Sequence, residues 1–228
     1  AGVNQAGVNQ ARIVEEGVIE AGVMQDDTYK TILTAVEGIY TEKRSKFIAI
    51  ALPVTTLEQV KEHLDRLQKQ YYDARHVCYA YMLGPERTTF RANDNGEPSG
   101  TAGKPILGII RSKGLTHCVV IVVRYFGGIK LGTPGLIAAY KEATVLALDA
   151  AQTQECIVTT RLVFEIPYTE ADLAMRWVRD AGGQLLPPDY TAEGMSLTAE
   201  IRTGEAEKLR QRLSQIHTLR WQDNDKDE

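Results

Sequence analysis

The chain has 228 residues, of which 43% are hydrophobic and 25% charged, a composition typical of globular proteins and a length that suits two modest domains better than one. Its longest apolar run is about seven residues, far below the roughly 18 of a membrane-spanning helix, and its first residues lack the basic start and apolar core of a signal peptide. We therefore expect a cytoplasmic protein without a membrane partner, and the net charge of −4 by itself argues against nucleic acid as a ligand.

Charge is distributed unevenly along the chain. Residues 42–130 contain 14 Lys and Arg against 8 Asp and Glu, a net charge of +6. Because the whole chain carries −4, the other residues together carry −10. This asymmetry allows a basic face on the first part of the chain, as nucleic-acid-binding proteins have. The alternative is the ordinary fluctuation of charge along any chain.

The first 25 residues are built from five related pentads. Two identical copies of Ala-Gly-Val-Asn-Gln are followed by three altered ones, and the first Met is Met24. A repeat of small and polar residues is not the pattern of a packed core. We therefore predict that residues 1–25 are an added leader or a disordered extension, and we exclude them from the fold.

Residues 27–153 are predicted to form the first domain. Its predicted strands, chosen for their alternation or their β-branched residues, are 29–39, 46–54, 76–83, 88–91 and 116–123. Its predicted helices, chosen for apolar residues at helical spacing, are 57–71, 105–111 and 136–151. A domain boundary is predicted near residues 152–156, where polar residues interrupt the last helix.

Residues 156–222 are predicted to form a second, smaller domain. Its predicted strands are 158–166, 184–190, 195–201 and 218–221, and its predicted helices are 169–182 and 204–216. The order β-α-β-β-α-β is that of a ferredoxin-like domain. The predicted fold class is therefore α+β, with two domains.

Residues 119–135 carry the most distinctive pattern. Five aliphatic residues, as in a strand buried on both faces, end at Arg124, whose charge cannot stay buried without a partner. Tyr125, Phe126 and a pair of glycines follow. Arg can bind phosphate through two hydrogen bonds, aromatic rings can stack on bases, and glycines allow a ligand to approach the backbone. The alternative is that the aromatic rings pack inward and Arg124 pairs with a local acid.

Residues 94–105 form a second glycine-rich stretch, which we expect to lie on one surface with the first. Asp94 and Glu97 can pair with basic residues or bind a metal, although their spacing matches no familiar calcium loop. Residues 99–104 are similar to a phosphate-binding loop but lack the spacing of the full motif. Backbone amides at the start of the following helix can still bind an anion.

The sequence contains no arrangement typical of catalysis or of a bound cofactor. Its four histidines are scattered, and no nucleophile elbow surrounds Ser99. Cys78 and Cys118 lie in strand-like apolar runs, which favours buried thiols over nucleophiles. The three cysteines are also too far apart in sequence to indicate a zinc site. We therefore predict no catalytic residue, no metal ligand and no cofactor, and an enzyme is the less favoured alternative.

Several short blocks occur in one order and spacing. They are Asp-Asn-Gly-Glu-Pro at 94–98, Thr-Ala-Gly-Lys-Pro at 101–105, Val-Val-Arg-Tyr-Phe-Gly-Gly at 122–128, Leu-Gly at 131–132, Gly-Leu at 135–136 and Ala-Tyr at 139–140. With these blocks, residues 45–151 resemble the YigZ/IMPACT family. The second domain resembles, with weaker motifs, the C-terminal domain of the bacterial YigZ-type members.

The resemblance implies a fold for each domain and a role for the whole. It likens the first domain to domain IV of elongation factor G and to the second domain of a small-subunit ribosomal protein. It likens the ferredoxin-like second domain to domain V of elongation factor G. Eukaryotic members of the family are linked to control of translation initiation through a protein kinase pathway, which implies a protein partner in translation control.

From the residues and the resemblance together, we expect a protein that binds RNA or the ribosome and regulates translation. The predicted contacts to RNA or another anion are Arg124, Tyr125, Lys130, Lys104, Arg75, Arg44 and Lys46. The glycines predicted to shape the loops are Gly127, Gly128, Gly132, Gly135, Gly96 and Gly103, and the predicted acidic partners are Asp94 and Glu97. The alternatives are an enzyme that acts on a phosphorylated small molecule at the paired loops and a protein-binding adaptor that uses Tyr125 and Phe126.

Overall fold

The computed structural model describes residues 27–222, so the extension predicted at residues 1–25 lies outside the described residues. The first half of the described chain contains six strands and three helices. In chain order they are β1 (Thr28–Ile32), β2 (Val36–Glu42), β3 (Ser45–Pro53), α1 (Leu57–Gln70), β4 (His76–Leu83), β5 (Thr89–Asn93), α2 (Gly103–Ser112), β6 (Cys118–Tyr125) and α3 (Gly132–Asp149).

Strand β6 lies at the centre of a five-stranded antiparallel sheet with the order β2-β3-β6-β4-β5. Its aliphatic residues 119–123 are completely buried. Because successive side chains of a strand point to opposite faces, Val119 and Ile121 pack in the core on the α1 side. Val120 and Val122 pack in the core formed with α2 and α3. The prediction of a strand buried on both faces is confirmed.

Helices cover both faces of this sheet. Helix α1 buries Val60 and Leu67, and its first turn is capped by Thr56, whose side chain accepts a hydrogen bond from the amide of Gln59. Helices α2 and α3 bury their apolar residues on the opposite face. Helix α2 begins at Gly103, two residues earlier than predicted. The result is a three-layer arrangement in which the sheet separates two cores.

The strand predicted over residues 29–39 is two strands that belong to different sheets. Strand β1 pairs with β7 (Thr153–Ile157) in a two-stranded antiparallel sheet, whereas β2 forms an edge of the main sheet beside β3. Residues 33–35 form the bend between them. Neither Gly nor Pro marks this bend in the sequence, and residues typical of strands continue on both sides of it. The prediction of one strand was therefore wrong.

The second half of the chain is built on a sheet of its own. Its elements after β7 are β8 (Thr159–Pro167), α4 (Tyr168–Asp180), β9 (Gln184–Leu185), β10 (Asp189–Tyr190), β11 (Gly194–Arg202), α5 (Thr203–Leu213) and β12 (Arg220–Trp221). The sheet order is β10-β11-β8-β12, with β9 also paired to β11. Both the order along the chain and the order in the sheet are those of a split β-α-β domain.

The strand predicted over residues 184–190 is interrupted in its middle. Strands β9 and β10 are only two residues long each and are separated by Pro187 and Pro188. Proline has no amide hydrogen to donate to a neighbouring strand, so pairing stops where the two prolines stand. This interruption was visible in the sequence.

The two halves join at Asp27. Its carbonyl accepts a hydrogen bond from the amide of Val158 at 2.6 Å, and its carboxylate lies 3.2 Å from Nε of Arg202. The chain thus has a mixed α+β fold in two parts. The predicted domain limits of 27–153 and 156–222 stay a prediction, since β7 pairs with β1 across the predicted boundary.

Candidate nucleic-acid interface

The two glycine-rich stretches meet at the C-terminal end of β6. Nη1 of Arg124 donates a hydrogen bond to Glu97 Oε1 over 2.6 Å. The side chains of Arg124 and Glu97 are only 7% and 3% exposed, so the ion pair lies inside the protein. An acid does pair with Arg124, which the sequence offered as an alternative. This burial corrects the predicted role of Arg124, because a buried and paired guanidinium does not contribute to a surface that contacts RNA.

The ion pair belongs to a buried polar network. Tyr140 donates its hydroxyl hydrogen to the same Glu97 oxygen at 2.9 Å, and the Cys78 thiol lies 3.3 Å from the Tyr140 hydroxyl. The thiol also donates to the carbonyl of Asp94 at 2.9 Å. Burial raises the pKa of Cys78 to about 12, so the thiol is protonated at neutral pH. The network fixes the two glycine-rich stretches to each other.

The Asp94 carboxylate organises the first glycine-rich stretch. It accepts hydrogen bonds from the amides of Gly100 at 2.8 Å, Ala102 at 3.0 Å and Gly103 at 2.8 Å. Burial acts to raise the pKa of Asp94, but the amide hydrogen bonds outweigh it and hold that pKa below its usual value. These amides lead into α2 and were predicted to be able to bind an anion. The chain's own carboxylate occupies them, so they are not available to a phosphate.

The turn between β2 and β3 presents two cations at one end of the sheet. Lys43 and Arg44 have φ angles of 45° and 66°, in the left-handed region where Asn and Gly are preferred in two-residue hairpin turns. Such strain in residues with side chains is concentrated at functional sites. Gly127 lies directly against this turn, because a Cβ added there would be 2.0 Å from the carbonyl carbon of Arg44. The second glycine-rich stretch therefore supports the two cations.

Three of the predicted cations lie together at this end of the sheet. Lys46 is directly opposite Tyr125 in the pairing of β3 with β6, and the amide of Arg75 donates to the carbonyl of Arg124 at 3.2 Å. Arg44 precedes Lys46 by two residues. We call Lys43, Arg44, Lys46 and Arg75 the basic edge. All four are exposed, and none forms an ion pair with another residue of the described part of the chain.

The other predicted contacts, Lys130, Lys104 and Tyr125, do not all lie together. Lys130 is exposed in the loop that leads to α3. Lys104 is exposed on the first turn of α2, which covers the face of the sheet opposite α1. Tyr125 is half-buried, and its hydroxyl donates a hydrogen bond to Asp73 at 2.9 Å. The pKa of Tyr125 is raised, mainly by burial and to a smaller extent by this hydrogen bond. Tyr125 therefore lies at the basic edge, whereas Lys104 belongs to the other face of the sheet.

The six glycines predicted to shape the loops have two kinds of steric requirement. Gly96, Gly128 and Gly132 have φ angles of 82°, 88° and 72°. At Gly103, Gly127 and Gly135, an added Cβ would lie 3.0 Å or less from a neighbouring atom. The shape of both stretches therefore depends on the absence of a side chain at these positions.

Sequence reasoning missed Lys43, although it stands in the same polar turn as Arg44. The exposed groups at the basic edge can bind anions and stack on planar groups. Within residues 27–222, no three His, Cys, Asp or Glu side chains are grouped so that they could hold a metal ion. The same residues include no helix that is long and apolar enough to cross a bilayer.

The fold and the site together define a mixed α+β protein in two parts, in which a cluster of exposed cations lies beside two glycine-rich stretches that a buried ion pair joins. The family model for the Impact N-terminal domain matches residues 43–148, which contain both stretches and the basic edge. The chain is 33% identical over 162 residues to the IMPACT family member YigZ of Escherichia coli, covering 70% of this chain and 78% of that one. The chain belongs to the IMPACT family, as the resemblance implied.

Two further proteins are similar to the chain. The IMPACT family member YvyE of Bacillus subtilis is 37% identical over 145 residues, and the match spans 64% of the length of each protein. A hypothetical protein solved by crystallography superposes with a TM-score of 0.64 at 26% identity. That superposition covers 88% of this chain and 99% of the other, so the match extends over both halves.

Proposed function

We propose that the chain binds RNA, free or in the ribosome, through the basic edge, and that it acts in the regulation of translation. The basic edge is the observation that carries this proposal. Its exposed cations come from the β2–β3 turn, the start of β3 and the residue before β4, and the fold gathers them at one end of the sheet. Clustered cations without acidic partners attract phosphates, and phosphate contacts dominate affinity for nucleic acids.

Membership of the family supports the second half of the proposal. The resemblance links eukaryotic IMPACT proteins to control of translation initiation, and it likens the two parts of the fold to domains IV and V of elongation factor G. Both the link to translation and the likeness to elongation factor G are predictions for this chain. A protein partner in translation control is a further part of the proposal.

The structure offers less support for the two alternative functions. The predicted anion site of an enzyme is occupied by the Asp94 carboxylate, and the Cys78 thiol is held protonated. Of the two residues predicted for an adaptor surface, Tyr125 is half-buried and Phe126 is 43% exposed, and the neighbouring Ile129 is 44% exposed. Three partly exposed side chains make a smaller patch than protein-binding surfaces usually present.

Sedimentation with ribosomal particles tests the proposal. The purified chain is mixed with particles, with or without ribonuclease treatment, and the bound fraction is measured after centrifugation. We expect the wild type to sediment with intact particles and Lys46→Ala with Arg75→Ala to weaken binding by about tenfold near 0.1 M salt. The matched control is Lys141→Ala with Arg176→Ala, which removes two exposed cations elsewhere.

The control pair should bind as the wild type does, because the charge of the two double variants is the same. Equal binding by the wild type and the Lys46/Arg75 variant would show that the basic edge does not contact RNA. Sedimentation that survives complete ribonuclease digestion would favour a protein partner instead.

A further inference from the structure

A groove lies beside α1, on the face of the main sheet that this helix covers only in part. The groove has a volume of about 420 Å³. One wall is formed by α1, including Lys61, Leu64 and Gln68, and the floor is formed by β4 and β5. Strand β5 is the edge of the sheet, so the groove opens to solvent on that side. None of these residues was predicted from the sequence to be a binding residue.

Two tyrosines form the floor of the groove. Tyr79 and Tyr81 stand two residues apart on β4 and therefore point to the same face. Both are half-buried, so one part of each ring packs on the core and the rest faces the groove. Neither hydroxyl forms a hydrogen bond with another residue of the range 27–222. Two residues of a strand advance about 7 Å, so the rings offer two separate stacking surfaces.

Polar side chains of the edge strand stand beside these rings. In the pairing of β4 with β5, Arg91 is directly opposite Tyr81 and Asn93 is directly opposite Tyr79. Arg91 is exposed and forms no ion pair within the described part of the chain. Each ring thus has a neighbouring group that can bind a phosphate or the edge of a base.

Strand β4, which forms part of the floor of the groove, begins directly after Arg75 of the basic edge. Arg75 precedes Tyr79 by four residues, which is about 13 Å along an extended chain. Within the groove, the cations Lys61 and Arg91 outnumber the one acid, Asp65. These cations favour a ligand that carries phosphates in the groove.

We propose that this groove binds single-stranded RNA, with two unpaired bases stacked on Tyr79 and Tyr81 and a phosphate bound by Arg91. The proposal rests on the proposed function and names the form of RNA that the chain prefers. Rings at the floor of a groove can stack only on bases that are free of a partner strand, so a duplex does not fit this site. Base stacking on aromatic rings tolerates any sequence, and binding is accordingly expected to be independent of sequence.

Fluorescence anisotropy with two labelled probes tests this site. One probe is an oligouridine of about 12 nucleotides, within the usual range of single-strand site sizes, and the other is a duplex RNA of the same length. We expect Tyr79→Leu with Tyr81→Leu to weaken oligouridine binding by about tenfold or more and duplex binding by less than about twofold. Leucine keeps the apolar contact with the core while it removes the ring.

The matched control is Phe90→Leu with Tyr190→Leu, which removes two exposed aromatic rings outside the groove. It should bind both probes as the wild type does. A second variant, Arg91→Gln, changes only an exposed side chain and should weaken oligouridine binding by about threefold, which decides the question if the tyrosine variant does not fold.

The outcomes separate this proposal from the proposed function. Unchanged oligouridine binding in the folded tyrosine variant, or in Arg91→Gln, would overturn the proposal that the groove binds single-stranded RNA. A wild type that sediments with ribosomal particles but does not bind oligouridine would also overturn the proposal for the groove. The proposal that the basic edge binds RNA would be unaffected. A wild type that binds neither particles nor either RNA probe would overturn both.

Discussion

At the scale of single residues, packing determines how the Arg124 side chain is paired. The side chain follows five buried aliphatic residues and is itself only 7% exposed, so its charge needs a partner within the protein. Glu97, which is 27 residues away in sequence, supplies it. The buried ion pair is thus a structural link between the two glycine-rich stretches.

Removal of the Glu97 charge should destabilise the protein strongly. Glu97→Gln leaves the Arg124 guanidinium buried without a counter-charge, and we expect the free energy of unfolding to fall by about 3–5 kcal/mol in urea titrations. The control Glu86→Gln alters an exposed acid and should change it by less than about 0.5 kcal/mol.

A double variant separates the charge from the packing. Glu97→Leu with Arg124→Met replaces the ion pair by apolar side chains, and we expect it to be more stable than Glu97→Gln. If Glu97→Gln were as stable as the wild type, the ion pair would not be the link between the two stretches.

The sequence could predict that Arg124 needs a partner and could name Glu97 among the candidates. It could not decide between an acid of the chain and a phosphate of a ligand, because both satisfy the same guanidinium. The hydrogen bonds of Asp94 were hidden for a related reason. The three amides reach the Asp94 carboxylate only when the loop adopts one particular conformation. The residue types in the loop do not by themselves predict that conformation.

At the scale of elements, the β2–β3 turn depends on the second glycine-rich stretch. Gly127 has backbone atoms of Arg44 and Ser45 where a side chain would be, and its amide donates to Ser45 Oγ at 3.1 Å. Gly128, the next residue, has a positive φ but no atom within 4 Å of an added Cβ. Substitution at Gly127 therefore tests steric contact with the turn, whereas substitution at Gly128 tests backbone strain alone.

Gly127→Ala should be more destabilising than Gly128→Ala. The added methyl group at Gly127 displaces the turn, and we expect a loss of about 3 kcal/mol in the free energy of unfolding. At Gly128 only the left-handed conformation opposes the change, at about 1 kcal/mol. Urea titrations of both variants measure the difference. Similar losses at the two positions would mean that the turn yields easily to the added methyl group.

The predicted strands and helices agreed with the structure where the hydrophobic pattern was strong. They failed where a strand ended without a residue typical of a turn. The aliphatic run of β6 and the helical spacing of α1 could be assigned from residues alone. The break at 33–35 could not, since the partner of β1 is β7, more than 120 residues later in the chain. The groove beside α1 was also beyond prediction, because how much of a sheet a helix covers depends on packing rather than on local pattern.

At the scale of the whole molecule, the described chain has separate cores. Two lie on the two faces of the main sheet, and the third lies between the second sheet and helices α4 and α5. No buried residue belongs both to the third core and to either of the others. This separation agrees with the predicted division into two domains, which stays a prediction.

Calorimetry tests the predicted division. We expect two overlapping unfolding transitions, because each half has buried residues of its own. Ile121→Ala, in the main sheet, should lower only one transition, and Leu209→Ala, in α5, should lower only the other, each by about 3 kcal/mol of local stability. A single transition that both variants lower equally would mean that the contacts at Asp27 and the β1–β7 sheet unite the halves.

The salt dependence of RNA affinity tests the central claim, that the basic edge contacts phosphates. Affinity of the wild type and of the Lys46→Ala/Arg75→Ala variant for purified ribosomal RNA is measured from about 50 to 200 mM salt. We expect the slope of log affinity against log salt concentration to be shallower in the variant by about 1.4–1.8, since two phosphate contacts are lost. Identical slopes for the two proteins would contradict it.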